Sequence, residues 1–321
     1  MKGSKGIKGF RKNKKASPLV LKLAEFIRLT SSSLPDDAER ALKCALHRET
    51  LESPARTILK TILANVALAR RQGTPVCQDT GMLTFFVDES LRRKVSPGIL
   101  GQAVALATEK GWLRRNTIDT LSGRSVDTNV CPGVPVVHYI DSRLVDMLVP
   151  VGDFRNSSNA RICGSGRIAL LMKGGGSENM SCQFSLPDSA LGAGRDLEGV
   201  RKAVLAAVQK AQGFGCAPGV LGVCIGGDRA SGFEDAKLQL LRDLGDTNAD
   251  PRLARLERRI LREANTLGIG PMGLGGKTTL LSVKIGSRPR LPASFFVTVA
   301  YLCWAARRRV LCFDGFAAPK S

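Results

Sequence analysis

The stretch LPASFFVTVAYLCWAA, Leu291 to Ala306, is the longest uncharged apolar run in the chain, and its reading decides which folds are open. It falls short of the roughly 20 residues that a membrane-spanning helix needs. Its centre, FFVTVAYL (Phe295–Leu302), is β-branched and aromatic, which is the composition of a buried strand. We therefore read a sheet-bearing body and no membrane segment. Working outward, the same texture recurs at LTFFV (Leu83–Val87), VPVVHYI (Val134–Ile140), VLGVCI (Val220–Ile225) and TLLSVKI (Thr279–Ile285), with IALLM (Ile168–Met172) also strand-like. Helical periodicity comes before them, at LVLKLAEFIRL (Leu19–Leu29), PDDAERALKCAL (Pro35–Leu46) and ARTILKTILANVALARR (Ala55–Arg71). It returns between them, at DLEGVRKAVLAAVQKAQG (Asp196–Gly213) and PRLARLERRILREANTLG (Pro251–Gly268), both ending at glycine. The expectation is a mixed α/β (α+β) fold: a helical N-terminal third, then a mixed-sheet body with interleaved helices.

Composition agrees with a globular protein: 43% of residues are hydrophobic, 24% are charged, and the length is 321 residues. The 48 basic against 28 acidic residues leave a net charge of +20. Seven of the basic residues fall in MKGSKGIKGFRKNKK, so the rest of the chain keeps 41 against 28, a surplus of +13. We read residues 1–17 as a basic flexible tail and 18–321 as one domain. A charge of this size draws polyanions in general, so nucleic acid and small anions both stay open. Aromatic residues are only 5%, thin for stacking on single strands. VGDFRNSSNARICGSG (Val151–Gly166) reads as an exposed loop of turn residues.

The nine cysteines form no C-x-x-C signature, and the polar start FRKNKKASP lacks the apolar core of a signal peptide. Reduced thiols and a cytoplasmic setting are expected. Cys77 in PVCQDTG, Cys216 in GFGCAPG and Cys303 in YLCWAARR all lie at junctions between elements, where a thiolate can face a cleft. On spacing alone they are either a metal site or isolated thiols. Cys44 and Cys224 read as small core residues. His47 and His138, the two histidines, read as structural. The loop GIGPMGLGGKTTLL is not a nucleotide phosphate loop, because the position that must be glycine is Pro271. It reads instead as a loop that lets backbone and Lys277 approach another anion. KGGGSEN (Lys173–Asn179) is either a flexible hairpin tip or backbone packed against a ligand.

Taken together, PVCQDTG, KGGGSEN, GCAPGVLGVCIGGDRASG, ANTLGIGPMGLGGKTT and RLPASFFVTVAYLCWAARR resemble the N-terminal catalytic region of iron–sulfur-dependent hydro-lyases. That family holds the class I fumarate hydratases and L(+)-tartrate dehydratases, and the resemblance runs from about Val20 to Arg309. It implies a 4Fe–4S cluster held by Cys77, Cys216 and Cys303, with one iron left open as a Lewis acid. It implies Asp79 as the proton-transferring carboxylate and Gln78 as a substrate contact. Arg114 matches an arginine that holds a substrate carboxylate, and Gly174 and Gly175 would bring backbone to the ligand. Lys277 and Arg290 complete the expected substrate set. One departure stands out: Leu291 occupies the place of a histidine in the family's Arg-His-Gly-Ala-Ser pattern.

What the resemblance implies for function is reversible hydration of a small dicarboxylate, fumarate/malate or, alternatively, L(+)-tartrate. Single-chain members carry a second domain with further catalytic groups. This chain is similar to an α subunit, with a β subunit completing the site and an α2β2 assembly expected. The rival from another class is a basic nucleic-acid- or anion-binding protein without catalysis.

Overall fold

Helices begin where the sequence supplies caps. In the computed structural model, which describes residues 16–142, 144 and 166–313, Ser17 accepts the Val20 amide at the head of α1 (Pro18–Ser32). The basic leader to residue 15, Cys163 and the loop Val151–Gly166 up to Ser165 lie outside those residues. α2 spans Asp36–Arg48, and α3 (Pro54–Gln72) opens on a Ser53 cap and closes at Gly73 in the left-handed region, φ 66°. Then follow β1 (Met82–Asp88), α4 (Pro97–Glu109), β2 (Val136–Ile140), β3 (Arg167–Lys173), the short α5 (Gly175–Asn179) and β4 (Cys182–Ser185). The chain continues through α6 (Leu197–Ala211), β5 (Gly219–Gly226), α7 (Arg229–Gln239), α8 (Pro251–Thr266), β6 (Leu280–Arg288), β7 (Phe296–Leu302) and β8 (Arg307–Cys312). The expected α+β class is what folds.

The strands form two mixed four-stranded sheets, β2-β1-β3-β8 and β4-β7-β5-β6. In the first, β1 runs parallel to β2 and antiparallel to β3, and β8 is antiparallel to β3. In the second, β5 runs parallel to β6 and antiparallel to β7, which pairs antiparallel with β4. Strand side chains alternate between faces, and the alternation sorts the core into three. Leu83, Phe85, Val87, Ile168 and Leu170 pack with α1 and α4. Leu221, Val223, Ile225, Val297 and Val299 pack with α6 and α8. Phe86, Ala169, Leu171, Val220, Ala300 and Leu302 meet α2, α3 and α7 in the layer between the sheets.

Two features differ from the sequence expectation. Cys44 is exposed on α2 rather than buried, because α2 turns Ala38, Leu42 and Ala45 to the core instead. Cys312 is disulfide-bonded, so the thiols are not uniformly reduced; the other seven described cysteines are free. Asp37 of α2 is buried and pairs with Arg308 of β8, whose Nη1 donates at 3.1 Å. Its carboxylate also accepts the Leu244 amide at 2.8 Å, so α2 is tied to β8 and to the segment after α7.

Candidate active site

Strand order alone brings most of the selected segments to one edge. In the first sheet, Met82 at the start of β1 pairs with Lys173 at the end of β3, and Arg307 at the start of β8 pairs with Met172. In the second, Val220 near the start of β5 pairs with Leu302 at the end of β7, and Gly219 pairs with Leu280, the start of β6. The link between β7 and β8 crosses from one sheet to the other, and Cys303 sits in it. Cys77 and Asp79 precede β1, Gly174 and Gly175 follow β3, Cys216 precedes β5 and Lys277 precedes β6.

Cys216 is held in a strained turn. Its φ is 54°, in the left-handed region that non-glycine residues seldom adopt. Its amide donates to Gly213 O at 3.0 Å, and its carbonyl accepts the Trp304 amide at 3.2 Å, which fastens it to the residue after Cys303. The buried Tyr301 ring backs the turn: a Cβ at Gly215 or at Gly219 would come within 2.4 Å of it. The Met272 amide donates to Ala217 O at 2.8 Å, so the loop leading to Lys277 folds against the same turn.

The three thiols act on one another. Burial pushes the Cys303 thiol up to about 11; Arg307 and the Ala305 amide oppose this, while Cys216 and Cys77 add to it. Burial also raises Cys216, and Cys77 and Asp79 raise it further. Cys77 thus stands within reach of both other sulfurs, and Asp79 within reach of Cys216. Among the described residues, no group of three or more His, Cys, Asp or Glu could hold a single metal ion. Thiolates are the ligands that iron–sulfur clusters take, so the donor set of Cys77, Cys216 and Cys303 fits such a group by its chemistry.

Asp79 is the junction of the site. Its Oδ1 accepts the Gly81 amide at 2.9 Å and Asn116 Nδ2 at 3.1 Å; its Oδ2 accepts the Gly175 amide at 2.7 Å. Gly174 packs against it: a Cβ there would stand 2.8 Å from Asp79 Oδ2 and displace the carboxylate. The KGGGSEN stretch is thus not a loose hairpin tip. It folds as α5, with its first amide on Asp79. Gln78 is exposed next to Cys77, its Oε1 3.9 Å from the Cys77 sulfur. Arg114 is exposed on the segment whose Asn116 reaches Asp79, and Asn129 Nδ2 donates to its carbonyl at 2.6 Å.

Lys277 is exposed, and its amide donates to Glu49 at 2.9 Å, so that part of the loop is anchored on a protein carboxylate. Arg290 is not brought to the site. It follows β6 and precedes β7, at the end where Ile225 pairs with Val297. Five residues of strand, about 17 Å at ~3.3 Å each, separate that end from Val220 and Leu302. Its Nη1 is spent on Leu291, Pro292 and Ser294 carbonyls at 3.1, 3.2 and 3.0 Å.

Asn116 carried no signal in the sequence. Lys173 stood inside the KGGGSEN motif without a role of its own: it is buried, with its ammonium pushed down to about 8 by that burial against the pull of Glu178. Glu178 bonds both Lys173 and Lys237, the latter at 2.9 Å. Only the fold could reveal these partners, which lie on separate elements. The histidines behave as expected: His47 contacts Lys43 O at 2.7 Å, and His138 stacks on Phe86 with its Nδ1 3.5 Å from Glu234.

Residues 20–311 match the family described as fumarate hydratase (Fumerase). A provisionally named class I fumarate hydratase from Geobacillus stearothermophilus is 43% identical over 290 residues, covering 87% of this chain and 52% of that protein. The chain thus spans about half the length of that relative. A provisionally named L(+)-tartrate dehydratase subunit alpha from Methanocaldococcus jannaschii is 33% identical, covering 90% of this chain and 95% of that protein. The L(+)-tartrate dehydratase subunit alpha of Escherichia coli (strain K12) is 31% identical, over 90% of this chain and 88% of that protein. With the match running through every element that builds the cysteine edge, the chain belongs to the fumarate hydratase (Fumerase) family.

Proposed function

We propose that this chain is the cluster-bearing part of a hydro-lyase that adds water to, or removes it from, a small dicarboxylate. The observation that carries the reading is the gathering of Cys77, Cys216, Cys303 and Asp79 at one edge of two sheets, from positions far apart in the chain. Cys77, Cys216 and Cys303 would hold a 4Fe–4S cluster, which when bound supplies a Lewis-acidic iron for the substrate's carboxylate and hydroxyl. Asp79 handles the proton on the oxygen side: it takes one from water when water is added and returns it when the hydroxyl leaves. Its three donors hold the carboxylate in place for that transfer. Gln78 contacts the substrate hydroxyl, Arg114 and Lys277 bind its carboxylates, and Gly174 and Gly175 let backbone come close. Arg290 leaves the substrate set of its own chain.

Hydration also moves a proton at carbon, and we assign that second role to a β subunit closing over the cysteine face, within an α2β2 assembly. The names of the tartrate dehydratase relatives, which call them alpha subunits, support a partner. Fumarate and malate are favoured by the higher identity to the fumarate hydratase relative. L(+)-tartrate is the second reading, favoured by the near-complete coverage of the alpha subunits. A cytoplasmic setting suits the seven free thiols.

The test is anaerobic reconstitution with iron and sulfide, followed by assays on fumarate, malate and tartrate with and without the partner. A charge-transfer band near ~400 nm is expected of thiolate-ligated clusters, with turnover only when the partner is present. A chain that takes up no cluster overturns the reading. Full turnover by the chain alone overturns the need for a partner.

A further inference from the structure

We infer that Arg307 and Lys173 are positioning residues for the cluster: two buried cations behind Cys303 that retain its negative charge and tune its potential. This rests on the reading above that Cys303 is a cluster ligand. Arg307 has 0% exposure and is the largest fully buried side chain in the described structure. Its Nε and Nη1 have no hydrogen-bond partner among the described residues. A guanidinium taken out of water with unpaired N–H groups is costly unless an anion stands beside it. Its charge acts on the Cys303 sulfur, four residues earlier.

The neighbouring arginine shows that this is not a general feature of β8. Arg308 is also buried, but Asp37 takes its Nη1 and Nη2, and the Leu240 and Arg242 carbonyls accept from Nε at 2.7 Å and Nη2 at 2.9 Å. Among the described residues, Arg307 has no such carboxylate. Pairing of Arg307 with Met172 brings β8 beside the end of β3, where the next residue, Lys173, turned to the opposite face of the strand, is 2% exposed. Lys173 donates to Glu178 and, at 2.9 Å, to Ser181 Oγ, and Cys303 also acts on it. Lys237 shares the same Glu178, so the Lys173–Glu178–Lys237 group keeps one net positive charge. A cluster on three thiolates is a net anion, and its sulfurs accept hydrogen bonds that shift its potential. Arg307 offers the fixed fork of donors such an acceptor can use.

The test uses the full chain with Arg307→Gln, Arg307→Lys and Lys173→Met, each reconstituted anaerobically beside the unmodified protein. Readouts are iron and sulfide content, rate of cluster loss to a chelator, midpoint potential and melting temperature of the cluster-free chain. Arg307→Gln is expected to lose its cluster about ten- to a hundredfold faster and to have a lower midpoint potential, since removing a cation disfavours the added electron. Arg307→Lys should fall between the two, and Lys173→Met should shift in the same direction. The cluster-free Arg307→Gln chain should melt no lower than the unmodified one, because it loses an uncompensated charge. A merely structural arginine would do the reverse: lower the melting temperature and leave loss rate and potential alone, which overturns the inference. If Arg307→Gln does not fold, unchanged loss rate and potential in Arg307→Lys and Lys173→Met overturn it equally. An unmodified chain that binds no cluster brings down the parent reading and this inference together, an outcome distinct from variants that merely match it.

Discussion

Asp79 shows how much a single carboxylate can organise: its two oxygens collect donors from its own turn, from Asn116 and from α5. Asp79→Asn keeps the shape but turns an amide donor toward donors and removes the proposed proton carrier. It should cut turnover of the assembled enzyme about 10²–10⁴-fold while the cluster is retained, read by kinetics beside the absorbance of the cluster. Gly174→Ala tests the same geometry from the other side, since its Cβ would meet Asp79 Oδ2 at 2.8 Å. Turnover should fall with little change in melting temperature, because the collision is with a movable side chain. Cys44 supplies the control. Because it is exposed, Cys44→Ser should change stability by less than about 0.5 kcal/mol and leave cluster content intact, whereas Cys216→Ser should abolish it.

At the scale of elements, two contacts set how helices seat on the sheets. Gly222 of β5 faces α7 so closely that a Cβ would stand 2.0 Å from Ala236 O, a backbone atom that cannot swing aside. Gly222→Ala must push α7 off the sheet and should cost at least about 1–3 kcal/mol, measured by denaturant unfolding. The second contact is the buried Asp37–Arg308 pair between α2 and β8. Burial works against the Asp37 charge, but Arg308 and the amides of Leu244 and Ala38 outweigh it and hold the carboxyl below its ordinary value. A lowered folded value means the contribution is present above the unfolded carboxylate pKa and is lost as pH falls through the folded one. Stability should therefore decline on acidification below about pH 4. Asp37→Ala should lower stability at neutral pH by about 3–5 kcal/mol, because it strands a buried arginine. It should also flatten the acid limb, and urea midpoints at neutral and acid pH report both effects.

For the whole molecule, the charge surplus divides between a leader that lies outside the family match and a folded body that keeps +13. Deleting residues 1–15 should weaken adhesion to duplex DNA and its salt dependence without changing cluster content; salt-titrated binding that survives the deletion would instead favour a nucleic-acid role for the body. The sequence by itself determined much at this scale. Apolar periodicity marked α1, α2, α3, α6 and α8, and β-branched runs marked β1, β2, β3, β5, β6 and β7, because these elements bury a regular face. It left β8 unread, since RRRVLC (Arg307–Cys312) is basic at its start and is buried only by pairing with β3. α7 was equally silent: its small residues, Gly232 and Ala236, signal close packing on β5 only once β5 is in place. The three junction cysteines were legible as candidates through their motifs. That they share one edge was not, because it depends on β7 crossing into β8 beside the starts of β1 and β5, pairings between residues far apart in the chain. For the same reason, only the tertiary structure could separate Arg290 from the cysteine edge and place Arg307 on it: one follows β6 at the far end of the second sheet, the other pairs with Met172 at the end of β3.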